Sequence, residues 1–279
     1  MNLLEIMRQD SSRLKHVLGL NADEARIEVQ CLLQAVLGVN RAYLMTYPER
    51  ELDADESCRY SGFIERRLKG EPVAYLLGER EFFGHAFRVT PATLIPRQDT
   101  ELLVELALQC VDRQDVHRVL DMGTGSGAIA ISVALASPYL EVVALDASRA
   151  ALEVAERNAR ELGVRNLRFL HSDWFLALED ERFDLIVSNP PYIEEGDHHL
   201  RELRFEPDSA LVSGMDGLDD IRRIVAGTKN HLNPKGWLML EHGYDQAASV
   251  RDLLRQSGFA EISSARDLAG MERVSMGRA

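Results

Sequence analysis

The stretch VLDMGTGSGAIA, residues 119–130, decides the fold. Val119, Leu120 and Met122 read as the end of a buried strand, and Ala128 opens an apolar run with the length of a helix. Between them Gly123, Gly125 and Gly127 allow a tight turn and leave room for a ligand to approach the backbone. Strand, glycine turn and helix together make the first half of a parallel crossover. Working outward, strands are predicted at 117–122, 141–146, 166–173, 183–188 and 236–243. Helices are predicted at 148–163, with Ser148 as cap and Gly163 as stop, and at 217–232 and 246–258. The last two strands, 259–267 and 273–278, close the sheet as a hairpin. The fold class is therefore α/β, with a doubly wound, mostly parallel sheet.

The region before it is different. In 21–38, Ala25, Val29, Leu32, Leu33, Val36 and Leu37 share one helical face, with Asn21 and Glu24 as a capping box and Gly38 as a stop. Residues 53–70 repeat this arrangement with Asp53, Glu56 and Gly70. The expected organisation is a helical bundle at 1–72, a connector with a β-hairpin at 73–95, and the sheet domain at 96–279. The 279 residues carry a formal net charge of -13, which argues against non-specific attraction to nucleic-acid phosphates or anionic lipid. No run approaches the roughly 18 apolar residues of a membrane helix, and the charged N-terminus lacks a signal-peptide core. Cys31, Cys58 and Cys110 match no metal spacing. A reduced, cytoplasmic protein is expected, with each cysteine a small core residue.

The glycine loop alone leaves two ligands open. Gly123, Gly125 and Ala128 fit the dinucleotide pattern, and Asp146, ending the next strand, would accept from ribose hydroxyls of NAD or of an adenosyl ligand. Asp121 is expected to put a second carboxylate toward the ligand, repelling a pyrophosphate but tolerating the ammonium of a methionine moiety. Asp173 and Trp174, after the third strand, suit an adenine amino group and its ring.

Residues 188–193, SNPPYI, bring Asn189 to the same edge. Pro190 and Pro191 end the strand and make a rigid turn. The Asn189 carbonyl and a proline backbone carbonyl are then fixed acceptors for the two hydrogens of a planar NH2 group, and Tyr192 is an aromatic wall beside it. Such hydrogen bonds favour a pyramidal nitrogen and turn its lone pair toward a methyl donor; orientation contributes as well. No strong general base is required, because the nitrogen becomes acidic once methylated. His198 and His199 read as a solvated loop rather than a metal site, and Glu241 and His242 as structural polar groups near the rim. The segment Ile193–Asp216 is expected to border the substrate channel.

In this order DMGTGSG, LDAS and SNPPYI resemble the class I S-adenosylmethionine methyltransferases that act on planar amino groups. With the segments 71–105 and 203–224, the whole chain resembles the peptide chain release factor glutamine methyltransferases, the PrmC/HemK family. Residues 95–101 depart from that family's usual IPRPETE, with Gln98 and Asp99 in IPRQDTE. The resemblance implies a Rossmann-like class I methyltransferase sheet behind a helical N-terminal substrate-docking domain. It implies S-adenosyl-L-methionine held by Gly123, Thr124, Gly125, Ser126, Gly127, Asp146, Asp173, Trp174 and Asn189. It implies a substrate glutamine, from the Gly-Gly-Gln loop of release factors, held by Asn189, Pro190, Pro191 and Tyr192, with Asn189, Pro190 and Tyr192 catalytic and no metal. Two rivals stand beside it. An adenine amino methyltransferase would use the same four residues but need a basic groove; a non-catalytic nucleotide-binding protein would have no need of the Asn-Pro-Pro-Tyr geometry.

Overall fold

The computed structural model describes residues 1–279, which divide into two compact units, Met1–Glu79 and Arg80–Ala279. The first unit holds α1 (Leu3–Leu18), α2 (Ala22–Leu37), α3 (Arg41–Thr46), α4 (Ala54–Leu68) and α5 (Val73–Leu77). Capping boxes start α1, α2 and α4, with Asn2/Glu5, Asn21/Glu24 and Asp53/Glu56 exchanging side-chain and backbone bonds. Gly19 and Gly38 end the first two in the left-handed conformation. Leu3, Leu14, Val29, Leu32, Leu33 and Leu44 are fully buried between the helices. Each such side chain stabilises by about 1.5–3 kcal/mol. Cys58 departs from the expectation for the cysteines. It is exposed on α4, because the buried face of that helix is set by Tyr60, Ile64 and Arg67; Cys110 alone is buried.

At the start of the second unit, β1 (Glu79–Phe82), whose first residue closes the first unit, forms a hairpin with β2 (His85–Arg88), and Phe82 and Phe87 pack edge to face at 6.0 Å. Next come α6 (Glu101–Arg113), β3 (Arg118–Met122), α7 (Ala128–Ala136), β4 (Glu141–Asp146), α8 (Arg149–Glu161), β5 (Leu167–His171), β6 (Phe183–Ser188), α9 (Asp219–Thr228), β7 (Leu232–Glu241), α10 (Ala247–Gln256), β8 (Ala260–Arg266) and β9 (Glu272–Arg278). The seven-stranded sheet has the order β5-β4-β3-β6-β7-β9-β8. β3 through β7 run parallel, and β9 enters antiparallel between β7 and β8. Two cores cover its faces. One surrounds α6 and α7 with Leu103, Ala107, Ile131 and Val187; the other surrounds α9 and α10 with Leu120, Ile186, Ile221 and Leu254. The strand order reverses between β3 and β6, so the loops after these two strands flank the crevice where ligands of such sheets bind.

Candidate active site

The carboxyl edge of the sheet opens into a cleft with about 1090 Å³ of empty space. Its first wall is the glycine loop. Gly123, Gly125 and Gly127 all adopt positive φ (72°, 57° and 84°). At Gly127 a Cβ would lie 2.7 Å from the Ile131 side chain and 3.2 Å from that of Ala155, so this glycine is required for α7 to pack on α8. At Gly125 nothing lies within 4 Å, and that face belongs to the cleft. The loop's amides are largely occupied within the fold. Gly123 N and Thr124 N donate to Leu145 O, Gly127 N to Thr124 O, and Gly125 N to Asp146 at 2.9 Å. These bonds leave a pyrophosphate few donors within the loop itself, while Asp146 serves the ribose of either ligand.

Asp121 corrects the sequence expectation. It does not face the cleft: it is fully buried beneath the loop, accepting from the Thr124 hydroxyl at 2.6 Å and Ala130 N at 3.2 Å, while Oδ1 has no partner. Strand alternation points it inward toward the start of α7, where it pins loop to helix. Burial pushes its carboxyl up to about 7. Between the ordinary value near 3.8 and 7, the folded state keeps a proton that the unfolded chain has released. This group's stabilisation is therefore full at low pH and lost as pH rises through 7. The melting temperature of the wild type should fall relative to that of Asp121→Asn between pH 5.5 and 8. A difference constant across that range would contradict the assignment.

Asp146, ending β4, lines the cleft beside the loop. Its two oxygens take Gly125 N and Ser148 N, at 2.9 and 2.8 Å, and burial raises its pKa. A carboxylate has about four lone-pair sites, so acceptors remain for a ligand diol. Trp174 takes positive φ (48°), which brings its indole against Gly123; a Cβ there would sit 3.6 Å from the ring. The indole N–H donates to Asp220 at 3.1 Å, and Asp220 is itself bonded to Ser213. Asp173 lines the same wall but is bound by both oxygens to Arg223, each at 2.9 Å. The residues thus fit an adenosyl group: an acceptor for hydroxyls, an indole face for a ring, and an open glycine for close approach.

The opposite side is built by Asn-Pro-Pro-Tyr. Ser188, the last residue of β6, donates its hydroxyl to Met122 O at 2.7 Å and locks this strand end to that of β3. Asn189 and Pro191 line the cleft. Pro190 is buried, and Tyr192 is half-buried against the apolar core rather than lining the cleft. Burial and the nearby Glu241 raise the Tyr192 pKa. The turn is held from behind: Gln246 Nε2 donates to Tyr192 O at 3.0 Å, and Ile193 pairs with Leu211 and Ser213. Asn189 Nδ2 donates to the Thr100 hydroxyl at 3.1 Å.

Some groups at the site escaped the sequence reading. Arg97, lining the cleft, is ion-paired to the buried Glu206, which also accepts from Ile95 N at 3.0 Å. That carboxylate ties the IPRQDT segment to the loop after the double proline. Pro207, Ser209 and Ala210 of the same loop border the cleft, as expected for 193–216. His198 and His199 are exposed beside Asp197, away from the cleft residues.

The sheet order and the glycine-loop cleft define the fold of class I methyltransferases. A solved methyltransferase from Pyrococcus furiosus superposes with a TM-score of 0.53 at 19% identity, covering 78% of this chain and 98% of that one. The family model described as methyltransferase small domain matches residues 98–204, and the PrmC N-terminal domain matches 5–78. The release factor glutamine methyltransferase of Bordetella pertussis is 52% identical over 90% of this chain and 94% of its own. That of Burkholderia pseudomallei is 50% identical over 100% of this chain and 99% of its own. This chain belongs to the release factor glutamine methyltransferase family.

Proposed function

We propose that the chain transfers a methyl group from S-adenosylmethionine to the side-chain amide nitrogen, N(5), of the glutamine in the Gly-Gly-Gln motif of peptide chain release factors. The observation that carries this reading is the Asn189 carboxamide, held at the end of β6 directly across the switch point from the glycine loop at the end of β3. When bound, S-adenosylmethionine supplies an electrophilic methyl on a sulfonium sulfur, whose bonding pair stays on sulfur as the methyl leaves. Gly123, Gly125, Asp146 and Trp174 would hold it. Asn189 and the proline turn orient the glutamine NH2 so that its lone pair points at the methyl; the new N–C bond leaves the nitrogen cationic, and one of its protons then departs to water. Asp173 enters the pocket wall through its pair with Arg223. Tyr192 acts through the turn's backbone and its packing.

The helical unit is the docking module for the protein substrate in this reading, which places the enzyme in the cytoplasm with the translation machinery. No helix is long and apolar enough to cross a membrane. Replacing Asp146 by alanine removes a charged acceptor and should weaken S-adenosylmethionine binding by about 1.5–3 kcal/mol, measured by calorimetry. Unchanged affinity would reject that role. Incubation of the enzyme with labelled S-adenosylmethionine, release factor and DNA side by side tests the reaction. Label in release factor supports it, and label in DNA alone would favour the adenine reading.

A further inference from the structure

Asn189 works in this site only if its carboxamide faces the right way. A carboxamide can be turned over with little change in shape, and then an NH2 rather than a carbonyl would meet the substrate NH2. What fixes it lies behind. β6 and β7 are parallel with Ser188 opposite Leu240, so Asn189 and Glu241 leave neighbouring strands side by side. Glu241 is 2% exposed and Thr100 5%; the Thr100 hydroxyl takes Asn189 Nδ2 at 3.1 Å. Thr100 and Asn189 both act on the buried Glu241 carboxyl, lowering its pKa against the rise that burial imposes, and its Oε2 has no hydrogen-bond partner. Two other charges face it, Asp99 from the turn before α6 and Arg273 from β9, and the Tyr192 phenol lies near. Arg273 is already shared between Asp267 at 2.9 Å and Asp99 at 3.3 Å, so it does not neutralise Glu241 alone.

We propose that Glu241 is a positioning residue: as an acceptor it turns the Thr100 hydroxyl hydrogen toward itself, which makes Thr100 Oγ1 the acceptor for Asn189 Nδ2 and leaves Asn189 Oδ1 for the substrate amide. A carboxylate only accepts, and a hydroxyl has one hydrogen to give. The polarity of the chain Asn189 to Thr100 to Glu241 is thereby set in one direction. A protonated Glu241 could instead donate to Thr100 and release that constraint. Burial lifts the Glu241 carboxyl to about 7, so the constraint should tighten as pH rises through that value.

The inference rests on the methyl-transfer reading for its consequence, yet its first test needs no methyl acceptor. The side-chain amide signals of Asn189, assigned by their loss in Asn189→Asp, should shift with a midpoint near pH 7 in the wild type. In Glu241→Gln they should stay constant. Asp121, the other carboxyl near 7, lies under the glycine loop and bonds Thr124 and Ala130 instead. In steady-state assays Glu241→Gln and Thr100→Val should each lose about ten- to a hundredfold in kcat, the scale of a small misplacement of a reacting group. KM for release factor should stay within about twofold, and Thr100→Ser should restore the rate. Asn189 signals indifferent to pH between 6 and 8.5, or Glu241→Gln with full kcat, would overturn the proposal. If the wild type methylated another acceptor, the proposed function would fall while the Asn189 titration still decided this one.

Discussion

Asn189→Ala should lower kcat by about 10²–10³-fold while the dissociation constant of S-adenosylmethionine and the KM for release factor change little. The magnitude is that of removing one preorganised polar contact to a reacting group. The asymmetry follows from what the side chain does. Docking a protein substrate uses many contacts, whereas the orientation of one nitrogen rests on few, and only interactions stronger in the transition state act on kcat. Ser188 and the two prolines hold the backbone in place with or without the carboxamide, so the turn itself should survive the substitution. Rates at saturating substrate, with binding measured by calorimetry, separate the two effects. A variant that binds poorly but turns over normally would show that Asn189 only docks.

Gly217→Ala should be nearly as damaging from outside the cleft. Gly217 has φ of 70°, and a Cβ there would lie 2.2 Å from Tyr192 O and 2.6 Å from Gln246 Nε2. Neither group can retreat freely, since the Gln246 side-chain amide bridges Tyr192 O and Gly243 N. The left-handed conformation costs alanine about 1–2 kcal/mol, and displacing the Tyr192 backbone and the Gln246 side chain about 1–3 more. The turn that carries Asn189 would shift with Tyr192. A melting temperature lowered by several degrees together with at least a tenfold loss of kcat is expected. Unfolding curves and rates unchanged from the wild type would mean that the loop absorbs the methyl and does not brace the turn.

Much of this arrangement is written locally in the chain. The capping boxes at Asn21 and Asp53 and the cap at Ser148 are short-range rules and are present in the structure. The glycine loop and the Asn-Pro-Pro-Tyr turn could be read because few backbones need such residues in succession. The supports of the site were not legible. Thr100 meets Asn189 across 89 residues, and Arg97 meets Glu206 across 109; no periodicity connects them. Asp121 reads as a cleft residue because strand ends at this edge bear ligand groups, but the alternation of the strand turns it inward. Glu241 reads as a structural polar residue near the rim, since its burial beside Asn189 arises only when β7 docks beside β6. Cys58 shows the converse: a residue type that favours cores sits on an exposed face when its helix is oriented by other residues.

The central claim is the identity of the methylated atom. Release factor treated with the enzyme and S-adenosylmethionine, digested and sequenced by mass spectrometry, should carry one added methyl on the glutamine of its Gly-Gly-Gln loop, located by fragmentation to the side-chain nitrogen. A methyl on any other residue, or an unmodified glutamine beside a fully active enzyme on another acceptor, would contradict the account.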